Sequence, residues 1–355
     1  MKVKFLLVIL ITISSFSCRN EKQKVIITPL NTTFVLEAKS VATIPEACYE
    51  NVSIVDSLLV FTSLCDDDIF HLYNKDNLKF VKSFGQKGSG PIDFLAPYPY
   101  NMNSSLLKEE SEASFFDVNS MQNKVIEFQK VISGEKLADC VKSQPLDENL
   151  YFGIDLAKLR NSKIAGRCLD ESKGLFYIYD TNTKKKKWVD YYPKVKVDER
   201  YRKSLYYGLL SGNPEKGLIV HASRYFDQVL FYDLDGNLKR EYHFSESKIP
   251  ELDTKSNSVT VESHIYAINM YATEEYCYVF RANQSRNEIY TPNFPVYVLM
   301  FDWSGNLINI FESYVFPERF CVDEESKSIY FIKSNPEEND PFVSVLKANI
   351  KSDND

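Results

Sequence analysis

Val229–Phe244 reads VLFYDLDGNLKREYHF. Two runs rich in aromatic and apolar residues flank Asp235-Gly236-Asn237. Those three residue types tolerate the positive φ that a tight hairpin needs, so the stretch predicts strand, turn, strand. A second copy stands at Phe301–Leu307, where FDWSGNL matches YDLDGNL of Tyr232–Leu238 at four of seven positions. Looser copies occur at Tyr179–Thr183 (YDTNT) and Tyr73–Leu78 (YNKDNL). Recurrence of one hairpin along the chain points to a repeated all-β architecture.

Working outward from the hairpin, strand-like runs bounded by turn residues fall into groups of four. The hairpin supplies the third and fourth strands of the group Leu205–Leu210, Leu218–Ser223, Val229–Asp233 and Leu238–Phe244. Four other groups are complete, from Tyr49–Val55 in the first to Leu307–Phe311 in the fifth. The weakest run among them is Lys136–Val141. The last group, Arg319–Val322, Ser328–Ile332 and Phe342–Lys347, is one strand short. The groups recur about every 50 residues, a period that suits β-propeller blades. Thr33–Ser40, otherwise unassigned, is expected to supply the missing outer strand and close the ring, which also covers a sheet edge. The expected fold is therefore all-β: a six-bladed β-propeller of four-stranded antiparallel blades over residues 31–350, with 351–355 as a disordered tail. A β-sandwich would not predict the recurring group of four. Helical signal is sparse, with Asp198–Tyr207 the best candidate.

The N-terminus reads as a targeting segment over residues 1–17. Lys2 and Lys4 form a basic start, and Phe5–Ile13 is apolar but too short to span a bilayer. Ser14-Ser15-Phe16-Ser17-Cys18 follows, with a small residue directly before the cysteine. This resembles a bacterial lipoprotein signal, which implies lipidation at Cys18, a tether over 18–30 and an exported lipoprotein, expected at the outer membrane. Contact with the membrane would be through that anchor alone. The chain of 355 residues is 44% hydrophobic and 14% aromatic, ample for a core. Its formal charge of −7 argues against a nucleic-acid partner.

Phe84–Phe94 reads FGQKGSGPIDF. The segment resembles the FGxxGxGPx[D/E]F motif that follows the first blade in the TolB-like six-bladed β-propeller lipoproteins of anaerobic Gram-negative bacteria. Asp93 stands where that family more often has Glu. The resemblance spans signal, tether and six blades, and it implies fold and location rather than an activity. The segment is a poor phosphate loop: Pro91 and an extended aromatic stretch follow the glycines, where a phosphate loop would open a helix. A structural turn with Phe84 and Phe94 packed beneath it is expected instead.

Chemistry-bearing motifs are scarce. The four histidines form no HxH, HxxxH or HExxH pair, and no GxSxG elbow is present. Asp66-Asp67-Asp68 offers oxygen ligands but lacks the interleaved spacing of a calcium loop, so a charged turn is expected. Of the seven cysteines, six follow Cys18 at spacings that give no metal signature. They read as buried small hydrophobes, although Cys48 and Cys65 could meet within one sheet. No cofactor is expected.

Blade topology locates function better than motifs do. Strand 2–3 loops and blade-to-blade joins share one face, and the long segments Gly85–Pro97, Ser133–Asn149, Ser245–Ser263, Asn283–Pro295 and Ser334–Pro341 fall there. Long loops gathered on a rigid scaffold form a recognition surface. Arg224, Tyr225, Asp227, Arg286 and Tyr290 lie in that layer and are the candidate partner-binding residues. The expected function is a lipid-anchored envelope binding or scaffold protein that recognises a protein, peptide or glycan, more probably not an enzyme. The alternative is a metal-dependent propeller hydrolase or lyase, lactonase-like, with a divalent ion in the central channel.

Overall fold

The computed structural model describes residues 23–26, 30–32, 34–45, 48–100, 112–168, 170, 173–245, 249–289, 294–334 and 342–350. Six antiparallel blades surround a central channel, and a short ladder, Leu252–Asp253 with Ser258–Val259, lies outside them. Each blade's chain moves outward from its innermost strand. Blade one is Tyr49–Val55, Leu58–Ser63, Asp68–Asn74 and Phe80–Gln86. Blade two starts at Pro97–Pro99, blade three at Gly153–Lys158, blade four at Gly208–Asn213, blade five at His264–Ala272 and blade six at Arg319–Asp323. Neighbouring innermost strands touch, as those of blades three and four, four and five, and six and one do.

The opening hairpin is built around an aspartate. Asp233 Oδ1 accepts the backbone N–H groups of Asp235 (3.0 Å) and Asn237 (2.9 Å), and its Oδ2 accepts from Asn237 Nδ2 (3.0 Å). Gly236 sits at φ 78°, where a side chain would be strained and its Cβ would lie 2.6 Å from Val189 Cγ2 of blade three. The copy in blade five repeats the geometry: Asp302 Oδ1 accepts from Ser304 (2.9 Å) and Asn306 (2.7 Å). Asn74 and Asp180 hold the looser copies in the same way. The turn also joins blades. Tyr242 of blade four donates to the Gly305 carbonyl of blade five (2.8 Å), so the repeated sequence carries both the hairpin and its grip on a neighbour.

The N-terminal chain wraps the outside of three blades. Gln23–Ile26 pairs in parallel with Leu238–His243 of blade four, and Phe34–Val35 pairs in parallel with blade five. Lys39–Pro45 then pairs antiparallel with Phe342–Asn349 and completes blade six. The closing strand is thus N-terminal, as the sequence predicts, but it begins near the end of Thr33–Ser40. The alternation that marked Thr33–Ser40 belongs to a strap: Leu36 is buried, and its N–H bonds the Glu312 carbonyl (2.8 Å). In Lys39–Pro45 only Ile44 is buried, so the true closing strand carries a weak apolar signal.

Blade two differs most from expectation. Lys136–Val141 is not a strand: Leu137–Cys140 is helical, Phe128–Ser133 forms another short helix, and the outer strand is Val141–Pro145. These helices connect the third and fourth strands, which places them on the short-turn face. The assignment of Ser133–Asn149 to the long-loop face is corrected accordingly; only the join after Pro145 lies there. The expected helix after blade three is present as Glu199–Leu205, with the Asp198 side chain accepting from the Arg200 N–H.

The FGQKGSGPIDF segment is a packed turn. Phe94 folds back so that its N–H bonds the Gln86 carbonyl (2.9 Å), and its ring meets Phe70 edge-on at 4.9 Å. Gly85 takes φ 90°, and a Cβ there would approach Phe70 to 3.0 Å. The buried Lys124 ammonium donates to the Gly90 (3.2 Å) and Asp93 carbonyls and lies 4.6 Å from the Phe94 ring centre. Burial pushes this lysine's pKa down. The turn needs its other glycines because the Asp93 side chain fills the space beside them: a Cβ at Gly88 or Gly90 would lie 2.5 or 2.6 Å from Asp93 Oδ2.

Cys48 and Cys65 form a disulfide with Cα atoms 5.6 Å apart. It ties the start of blade one's innermost strand to its 2–3 loop. Cys140, Cys277 and Cys321 are buried thiols, matching the reading of small hydrophobes, while Cys168 is half-buried.

Candidate functional site: the channel mouth

The innermost strands of all blades run in the same sense, so their N-terminal ends converge on the long-loop face. There they enclose a cavity of about 460 Å³. Glu50 and Asn51 enter from blade one, Tyr98 from blade two, Asp155 from blade three, Leu209 from blade four, Ile268 and Asn269 from blade five, and Arg319 from blade six. A larger hollow of about 610 Å³ lies at the side, against Lys187–Tyr192 and Gly236–Lys239 of blades three and four. It draws on only two blades, whereas the mouth gathers side chains from all six.

Half of the register shifts between paired strands lie in the innermost pairs, towards the mouth. The register of the innermost strand pairs shifts between Tyr49 and Asn51, between Ile154 and Ala157, and twice between Ile265 and Asn269. Three of these four shifts bracket a cavity residue, Glu50, Asp155 or Ile268. Asp155 also takes φ 51°, in the left-handed region. A bulge turns a side chain out of its alternation, and such devices recur beside functional sites. The other shifts lie in outer strand pairs.

Four arginines organise the polar groups. Arg167, from the second strand of blade three, gives Asp155 Oδ2 a 2.7 Å bond from Nε and a second bond from its terminal nitrogen. Burial pushes the Asp155 carboxyl up, with the guanidinium pulling it back down. Arg167 also lies 4.5 Å from the Tyr207 ring centre, and Arg224 lies 5.7 Å from the same ring. Arg319 bonds Glu50 Oε2 at 3.0 Å and the Glu318 carbonyl at 2.8 Å. Arg224 and Arg286 have no carboxylate within ion-pair distance among the described residues. Asn51 Nδ2 is buried without a hydrogen-bond partner among them. Burial and the Glu50 charge push the Tyr98 phenol up. The mouth therefore offers the uncommitted Arg224 guanidinium and one unspent amide donor, with the Arg286 guanidinium in the hollow that adjoins it, a set suited to an oxyanion.

The sequence candidates separate clearly. Arg224 lines the mouth, and it also lines a second hollow of about 430 Å³ that contains Arg286. Tyr225 faces a third hollow with His264 and Tyr266. Asp227 is 1% exposed, and Arg281 holds both its oxygens, at 2.7 and 2.5 Å, so its carboxylate is sealed between blades four and five. Tyr290 and Cys18 lie outside the described residues. Sequence reading missed Glu50, Asn51, Tyr98, Asp155, Arg167, Tyr207, Asn269 and Arg319. They share no spacing; their only common signal is position near the mouth-side end of a first or second strand.

The donor set does not fit the metal reading. Among the described residues no three His, Cys, Asp or Glu side chains gather into a metal-binding group. Both mouth carboxylates are bound by arginine. Asp66 and Asp68 likewise turn to His71 (3.1 Å) and Ser83 (2.5 Å) rather than to a common point.

No family model and no curated protein match the chain in sequence. Among solved structures, a member of the DUF4221 family from Bacteroides vulgatus superposes with a TM-score of 0.54 at 14% identity, covering 88% of this chain and 98% of that one. A putative exported protein from Bacteroides fragilis gives 0.53 at 12% identity, covering 93% and 99%. At these identities the likeness establishes the shared fold, a six-bladed propeller also found in Bacteroides proteins, and does not reach the narrower TolB-like group. The expectation that the chain is more probably not an enzyme is corrected. Propellers described as a luciferin-regenerating enzyme and a streptogramin B lyase match 88% and 89% of it, at TM-scores of 0.43 and 0.42. A propeller fold by itself hosts catalytic and non-catalytic proteins alike, so it gives no ground for preferring a non-catalytic role.

Proposed function

We propose that the protein is a lipid-anchored envelope propeller whose mouth face recognises a protein or peptide partner through an acidic group placed in the channel mouth. The observation that carries this reading is where apolar surface is left uncovered. Among the described residues, fourteen large hydrophobic side chains are exposed. Leu95, Met121, Phe152, Tyr207, Ile249, Val261, Phe294, Tyr314 and Phe342 all belong to mouth-face connections or strand ends. The remaining five, Val35, Val41, Phe80, Val81 and Ile308, lie on outermost strands or the strap, and none lies in the short turns of the opposite face. Apolar side chains left on one face around an arginine-bearing cavity suit a macromolecular partner. Lipidation at Cys18 would hold the propeller at the membrane, and no helix among the described residues is long and apolar enough to cross it.

Fluorescence anisotropy with labelled hexaglutamate and hexalysine tests the reading. Hexaglutamate binds, hexalysine does not, and Arg224→Ala with Arg286→Ala weakens the acidic probe about tenfold or more. Equal binding of both probes, or of neither, would overturn it.

A second reading, catalysis at the same mouth, draws on Asp155. A buried carboxyl with a raised pKa beside an anion-binding arginine has the character of a proton donor. Turnover of a bound carboxylate ester or amide that persists in chelator and is lost in Asp155→Asn would favour it.

A further inference from the structure

The mouth and the second hollow are neighbours that share Glu50, Arg224, Ile268 and Arg319. Their walls differ. Beyond the shared residues, the mouth is largely polar and aromatic, with Asn51, Tyr98, Arg167 and Tyr207. The second hollow is walled by aliphatic and aromatic side chains, notably Ile265, Ile289, Phe316 and Val343. Arg224 stands at the junction, and Ile268 begins the apolar wall immediately beside it. Arg286 is exposed, and it lines the second hollow together with Arg224. Two uncommitted cations thus border an apolar pocket, and of the two carboxylates that line it Glu50 is bound by Arg319 and Glu318 is exposed.

We propose that the site takes a peptide C-terminus whose last residue is apolar: the α-carboxylate at Arg224, the side chain in the second hollow against Ile268 and Phe316. This rests on the acidic-partner reading above and narrows it to one kind of acid. A side-chain carboxylate stands away from its neighbours' apolar groups, whereas an α-carboxylate is borne by the same carbon as the apolar side chain. Arg224 and Ile268 both line each of the two adjoining hollows, so cation and apolar wall meet where such a carbon would sit. A cavity at the end of a channel also receives a chain end more readily than a chain passing through. Backbone-carboxylate capture of this type needs a charge-assisted donor and a pocket for the final side chain, and both are present.

The test uses three labelled glycine–serine hexapeptides: one ending in leucine as the free acid, the same peptide amidated, and one ending in serine as the free acid. Binding to the full chain is read by anisotropy beside the hexaglutamate probe. The leucine acid binds most tightly. Amidation weakens it roughly tenfold, through loss of the charge-assisted bond. Replacing the terminal leucine with serine weakens it by a similar roughly tenfold factor, through loss of apolar burial. Arg224→Ala removes the difference between acid and amide, and Phe316→Ser removes the difference between leucine and serine. Should Phe316→Ser fail to fold, the peptide series on the wild-type chain and the exposed-site variant Arg286→Ala still decide the matter. If hexaglutamate binds but the three hexapeptides are indistinguishable, the C-terminal assignment is wrong and the acidic-partner reading stands. If hexaglutamate also fails to bind, both fall.

Discussion

Two arginine–aspartate pairs in this propeller have the same chemistry and opposite settings. Arg281 and Asp227 join blades five and four, with side chains 5% and 1% exposed, inside a ring of Phe244, Tyr266 and Tyr297. Arg167 and Asp155 lie within blade three, 8% and 13% exposed, and border the mouth cavity. In the first pair both carboxylate oxygens are taken, one by Nε and one by Nη2 of the same guanidinium. In the second, Asp155 sits on a bulge and Arg167 also faces Tyr207. The first pair is a fastener. The second is part of a surface that a ligand can reach. Asp227 is three residues from Arg224 in sequence, yet the two belong to different parts of the molecule's economy: one is sealed, the other lines two hollows.

Removing one partner of the sealed pair is the strongest way to separate them. Asp227→Ala strands Arg281 in an aromatic shell, and the expected loss is about 3–5 kcal/mol of folding stability. Urea unfolding measures it, and binding of hexaglutamate by the folded fraction stays unchanged. A loss below about 1 kcal/mol would mean that water reaches this pair as it reaches the other.

Asp155→Asn is the matching change at the mouth. Arg167 keeps its ring contact and borders a cavity that water can enter, so the expected cost is smaller, about 1.5–3 kcal/mol, the range for a hydrogen bond to a charged group. Unlike the Asp227 change, this one should also alter hexaglutamate affinity, because it leaves the Arg167 guanidinium at the mouth without its carboxylate. Anisotropy on the two variants side by side checks the contrast; an equal effect on binding would erase it.

The fold was legible because its repeat is local. Asp233, Gly236 and Asn237 make their turn within five residues, and Asp302, Gly305 and Asn306 make it again. Such a signal survives in sequence because turn chemistry needs no distant partner. The strap was misread for the opposite reason: Lys39–Pro45 is chosen by its pairing with Phe342–Asn349 at the other end of the chain, and its own pattern is faint. The same holds for the mouth. Glu50 and Arg319 meet across 269 residues, and their roles depend on a bulge and on ring closure. Arg224 and Arg286 could be proposed because strand order puts their connections on the face that gathers the long loops. Glu50 and Asp155 could not, since nothing in the spacing of an inner strand distinguishes a bulged residue from its neighbours.

The field of the mouth pair extends one strand further, to His221, and gives the mildest test. His221 lies in the second strand of blade four, is fully buried, and stacks with Phe176 at 6.5 Å. Neither ring nitrogen has a hydrogen-bond partner among the described residues. Burial first, and then the Arg167 charge, push its pKa from 6.5 down to about 3. The folded protein therefore holds this ring neutral over a range where the unfolded chain protonates it. The unfolded state binds more protons below pH 6.5, so stability falls as pH drops from there towards 3 and is fully present above it. The loss amounts to about 2 kcal/mol at pH 5. Urea unfolding at pH 7.5 and at pH 5 reads it directly, and His221→Leu removes that part of the slope while leaving the acid sensitivity of the carboxylates. An unchanged slope would show that the ring is hydrated and partnered in solution, and that the low-dielectric region around Arg167 ends at the cavity wall.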